Sequence, residues 1–133
     1  MSTGRTGGPA FGGDALVLRE LWISFVSVVR SYVAAHDMAR PTGRTLVDED
    51  ALKDGAGRLT LRNGQKILVL EFSTENGAGT WTLYEDDPGP ERVLERGEYR
   101  IGADSLVALS DRRGTLELEV AAEAFTARIF DEE

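Results

Sequence analysis

The residues that could do chemistry are few, and each has a plain structural competitor. The single histidine, His36, stands beside Asp37, the kind of neighbour that orients an imidazole as a general base. The pair falls near the end of a helical pattern. Adjacent helical residues do not face one another, and the negative end of a helix dipole favours a histidine there in any case. Glu71 is the second acid/base candidate. It lies between Leu70 and Phe72 in an apolar run, where a carboxylate facing a pocket would hold its proton to a higher pH. Its competitor is a head group in water, or one paired with an arginine across a strand ladder.

Asp48-Glu49-Asp50 with Asp54-Gly55 resembles the start of a calcium loop only in composition. Oxygen ligands must recur at alternate positions with glycine sixth and glutamate twelfth. Counting from Asp50 puts Leu52 third and Leu61 twelfth, and counting from Asp48 puts Leu52 fifth and Lys53 sixth. Acidic residues in the first turn of a short helix over residues 48–53, stopped at Gly55, account for the cluster instead. The chain has no cysteine, which removes disulfides, thiolate metal sites and cysteine nucleophiles. The expectation is no metal and no cofactor. The Gly-rich segment 1–13 lacks the preceding strand and the Gly-Lys-Ser/Thr ending of a phosphate loop, and no nucleophile has the setting of a serine triad.

Trp81 and Tyr99 share a local pattern. Gly79-Thr-Trp81-Thr-Leu83 and Gly97-Glu-Tyr99-Arg-Ile101 have the form Gly-x-aromatic-x-aliphatic, eighteen residues apart. Alternate residues of a strand share a face, so each copy points its aromatic and aliphatic side chains inward together. Core packing is the first account of both rings, and stacking on a ligand is the second.

These residues need elements to carry them. Residues 1–13 hold five Gly and one Pro without periodicity, which reads as a flexible arm. Asp14 stands where an N-cap belongs. Over residues 15–37, Leu18, Trp22, Phe25, Val29 and Tyr32 recur at helical spacing and predict one long helix. Arg40-Pro41 ends it. From Gly57 the period becomes two. Residues 58–62 alternate, Asn63-Gly64 marks a hairpin, and residues 65–73 form a near-continuous apolar return strand. Short strands follow over 80–85, 92–95, 98–101, 105–109, 115–120 and 124–130. The prediction is a single α+β domain over residues 14–133. One long N-terminal helix packs on a twisted antiparallel meander of six to eight short strands. A small closed barrel with the helix outside is the alternative.

Charge bounds the partners. The net charge is −8, with all of the excess in residues 45–133. That surface repels phosphate backbones and anionic lipid, so neither nucleic acid nor membrane is an expected partner. No segment has the apolar core of a secretory signal or the length of a membrane span, and a cytoplasmic location is expected. The helix carries Ser24, Ser27 and Ser31 on one face. Small residues there permit close approach, so this face is the candidate interface of a homodimer. Taken together, the sequence points to a non-catalytic interaction or small-ligand-binding module, whose partners are a second copy, another protein or a small apolar ligand. The alternative is a small enzyme using Glu71 or His36 in the cleft between helix and sheet.

Overall fold

The computed structural model describes residues 12–39, 45–53, 55–86, 92–111 and 113–130. Helix α1 (Gly12–Ala39) leads into strands β1 (Leu46–Lys53), β2 (Ala56–Asn63), β3 (Lys66–Ser73), β4 (Ala78–Glu85), β5 (Arg92–Ile101), β6 (Leu106–Leu109) and β7 (Leu116–Glu117), then helix α2 (Leu118–Phe130). The seven strands pair antiparallel in sequence order, with β1 and β7 at the two ends. The fold is an α+β meander, and its sheet is not closed into a barrel.

Period two builds the sheet. Leu59, Leu70 and Trp81 are cross-strand partners in register, as are Leu61, Leu68 and Leu83, and all six are buried. Both helices cover this face. α1 contributes Leu18, Trp22, Phe25, Val26, Val29 and Val33 to the same core, and α2 contributes Ala121, Ala122, Phe125 and Ile129. Trp22 stacks on Phe72 with ring centroids 5.1 Å apart. Phe125 meets Phe25, Trp81 and Tyr99 edge-on at 5.9, 6.1 and 5.4 Å. Edge-to-face contact suits the quadrupoles of aromatic rings, so Phe125 is the wedge that joins both helices to the sheet.

Four local expectations change. The helix begins at Gly12, so Asp14 lies inside it rather than capping it, and residues 12–13 belong to the helix. The rest of the expected arm lies outside the described residues. The acidic segment expected as a helical turn is strand β1, paired from Leu46↔Arg62 to Lys53↔Ala56. Gly55, at φ +78°, turns the β1–β2 hairpin instead of ending a helix. Charges are tolerated on an edge strand because one rim meets water. The segments 92–95 and 98–101 form one continuous strand through Gly97.

The largest correction is at the C-terminus. Residues expected as two strands form β7, only two residues long, and then α2. Leu116-Glu-Leu-Glu-Val alternates like a strand, but Ala121, Ala122, Phe125 and Ile129 carry helical spacing. Alanines favour the helix intrinsically. Thr126 is accommodated by donating its hydroxyl to the Ala122 and Glu123 carbonyl oxygens, both at 3.0 Å.

Candidate functional site

The two acid/base candidates are in different layers. His36 sits in the last turn of α1 and lies flat on Phe130 of α2, centroids 3.4 Å apart at 7°. Its neighbour Asp37 turns elsewhere, accepting hydrogen bonds from Thr45 N at 2.9 Å and Thr45 Oγ1 at 3.0 Å. Asn63 Nδ2 donates to the same Thr45 hydroxyl at 2.9 Å. Asp37 therefore ties the end of α1 to the start of β1 and the end of β2. It does not orient the imidazole.

Glu71 lies on the sheet face away from the helices, so it does not enter the helix–sheet cleft. Its side chain is 58% exposed, with Arg58 Nε 4.0 Å away across the β2–β3 ladder. Thr80 Oγ1 donates to Glu71 Oε1 at 3.5 Å from the other side. Strand alternation decides this placement: Leu70 and Phe72 point into the core, so Glu71 must point out.

Trp81 and Tyr99 are buried, and the structure explains their shared pattern. The two motifs are antiparallel partners, with Gly79 opposite Tyr99 and Trp81 opposite Gly97. Each aromatic covers the other motif's glycine. A Cβ on Gly79 would lie 2.4 Å from Tyr99 Cζ, and one on Gly97 would lie 2.8 Å from Trp81 Nε1. The Tyr99 hydroxyl crosses over Gly79 and donates to the Glu71 carbonyl oxygen at 2.8 Å. Burial, reinforced by the Glu71 carboxylate, holds the Tyr99 phenol well above its usual pKa of 10.0. Arg128 of α2 places its guanidinium carbon 4.3 Å from the Trp81 ring centroid, and it also bridges Glu95 at 2.6 Å and Asp111 at 3.3 Å.

The candidate site is a feature that no single residue signalled. A broad trough of about 1140 Å³ crosses the helix-free face of β2 to β5. Its floor holds small residues, Ala56, Ser73 and Ala78. Its walls are Asp50, Arg58, Glu71, Asn76, Glu98 and Arg100. Asp50, Arg58, Glu71, Thr80 and Glu98 are successive cross-strand partners, a polar row of three carboxylates, one guanidinium and one hydroxyl transverse to the strands. Arg100 is held by donating to the Asn76 carbonyl oxygen at 3.0 Å. Of the residues singled out from sequence, Glu71 belongs to this site through its carboxylate, Asp50 of the acidic cluster stands on its wall, and Tyr99 borders it. His36 and the three serines do not. The missed signal was the register: once β1–β5 are aligned in sequence order, the polar row follows.

Ser24, Ser27 and Ser31 are exposed along the outward face of α1. Among the described residues, no group of three or more His, Asp or Glu converges to hold a metal, and no helix is long and apolar enough to cross a membrane. No family model, curated protein or solved structure matches this chain.

Proposed function

We propose that this protein is a non-catalytic binding module whose ligand surface is the trough on the helix-free face of the sheet. The trough itself carries this reading. Its volume matches or exceeds that of ordinary small-molecule sites, and it brings donors and acceptors of both charge signs over a floor of small side chains. Those side chains are held by the sheet's ladder, so a ligand would meet a largely pre-formed surface. The chemistry favours a polar ligand offering both donors and acceptors over the apolar one expected from the aromatic residues, because Trp81 and Tyr99 are committed to the core. Titration of a polar-metabolite panel into labelled protein, followed by amide shifts, tests it. Saturable shifts at Ser73, Thr80 and Arg100, weakened about tenfold by Arg100→Ala, are expected. Shifts confined to the helices would refute the assignment.

The second reading is a small acid/base enzyme. Glu71 favours it, being a carboxylate on the trough wall, and His36 does not, being stacked between the helices. If a substrate is found, Glu71→Gln separates the readings: turnover would fall at least a hundredfold for an acid/base, while ligand affinity would move far less.

A further inference from the structure

The outward face of α1 lacks what a solvated helix face should carry. Its buried side points Leu18, Trp22, Phe25, Val26, Val29 and Val33 at the core. Diametrically opposite run Glu20, Ser24, Ser27, Ser31 and Met38, flanked by Leu16 and Ala34 on one side and by Val17 and Ala35 on the other. Of these nine residues only Glu20 is charged. Leu16 is 66% exposed and Met38 86% exposed, and Val17 and nearby Ile23 are also in water. Large apolar residues mark the two ends of the strip, and small ones fill its middle.

We infer that this face is the interface of a twofold homodimer in which α1 packs antiparallel on its copy, with Ser27 at the twofold axis. The shape of the strip selects this arrangement. An antiparallel pair centred on Ser27 sets Leu16 against Met38 of the second copy, apolar on apolar at each end, and Ile23 against Ser31, large against small, nearer the middle. The serines let the two backbones approach, to an interaxial distance of about 8 Å. Charge selects the same direction. In a parallel pair the two Glu20 carboxylates would face each other. In the antiparallel pair they stand about 21 Å apart along the axis, beyond the screening length of physiological salt.

One flank supplies a receptor. A groove of about 640 Å³ between α1 and α2, lined by Tyr32, Ala35, His36, Thr126 and Phe130 among others, borders the Ala35 side of the strip. The twofold keeps like flanks together, so Val17 of the second copy comes over Ala35 and the mouth of this groove. From Leu16 to Met38 the strip is about 33 Å long at 1.5 Å per residue. At the roughly 10 Å width of a helix the strip projects about 330 Å² on each copy, which places the interface in the small, transient class below about 1,200 Å². The dimer should therefore dissociate at micromolar concentration.

Two measurements test this independently of the trough. Sedimentation of the whole chain at rising concentration should show mass climbing from 14.5 kDa towards twice that value. Ser27→Arg should hold it at the monomer mass with an unchanged circular dichroism spectrum. A monomer mass at all concentrations up to about 200 µM, well above a micromolar dissociation constant, overturns the proposal. Orientation is read by crosslinking, since the natural chain has no cysteine. Ser27→Cys should form a disulfide with its own copy rapidly under mild oxidation. Leu16→Cys should do so only when mixed with Met38→Cys. Self-crosslinking of Leu16→Cys as fast as that of Ser27→Cys would overturn the antiparallel arrangement.

Discussion

Tyr99 concentrates more physical consequence than any other residue. Its ring replaces the side chain that Gly79 lacks, and its hydroxyl reaches across β4 to the Glu71 carbonyl oxygen of β3. Tyr99→Phe keeps the ring and removes the hydrogen bond, so it should cost about 1 kcal/mol at neutral pH, measured by chemical denaturation. The pH dependence has a definite sign. The folded phenol keeps its proton above its unfolded pKa of 10.0, so above that pH unfolding releases a proton. This contribution is fully present below pH 10.0 and is lost as pH rises towards the folded pKa. Tyr99→Phe should therefore flatten the alkaline loss of stability while lowering the neutral plateau. An alkaline limb of unchanged slope would show that other groups drive it. Gly79→Ala should be the harsher change, because its new Cβ would lie 2.4 Å from both the Glu71 carbonyl oxygen and the Tyr99 ring. Overpacking of that kind costs about 1–3 kcal/mol or more.

At the scale of elements, α2 is fixed to the sheet by its core residues Ala121, Ala122, Phe125 and Ile129 and by one cation, Arg128. Trp81 is 4% exposed, lies over Gly97 and under Arg128, and meets Phe125. Trp81→Ala removes all of these contacts at once and should cost about 3–5 kcal/mol, read as a lowered denaturation midpoint. Arg128→Met is gentler. Its carboxylate partners Glu95 and Asp111 are 54% and 52% exposed, so solvent screening leaves those pairs worth little. The contact with the Trp81 ring is then the larger part, and a loss of about 0.5–1 kcal/mol is expected. Hydrogen exchange should locate the effect in the amides of α2, with those of β2 and β3 unchanged.

At the scale of the whole molecule, both helices cover one sheet face, and among the described residues the other face stays open to carry the trough. Among the described residues, stability therefore rests on a core that runs from Leu18 to Ile129. Deleting residues 1–11 should leave the melting temperature within about 1 °C, because their Gly-rich sequence has no apolar periodicity. A drop of about 4 °C or more, the scale of a lost kcal/mol in a domain of this size, would assign that segment a structural role. Chelation should be equally silent: dialysis against EDTA is expected to leave the melting curve in place, since β1 uses its acidic residues as an edge strand. A shift on metal removal would place a carboxylate site on β1.

Periodicity alone carried much of the architecture. A 3.6-residue repeat from Leu18 to Val33 can be satisfied only by a helix with one buried face. Alternation from Arg58 onward, broken by Asn63-Gly64 and later turns, specifies antiparallel hairpins in sequence order. The same alternation already implied that Glu71 points away from Leu70 and Phe72. Segments with two compatible periods needed the tertiary structure. Residues 116–120 alternate like a strand, yet the ring pocket formed by Phe25, Trp81 and Tyr99 rewards Phe125 only on a helix, and so α2 extends back to Leu118. Residues 48–53 look like a capped helical turn, yet β2 offered an unpaired edge whose hydrogen bonds outweigh a single turn's propensity. The trough belongs to neither kind of local signal. It arises from the register of five strands, which sets residues as far apart as Asp50 and Glu98 in one row, and register is decided by long-range pairing rather than by any local run of sequence.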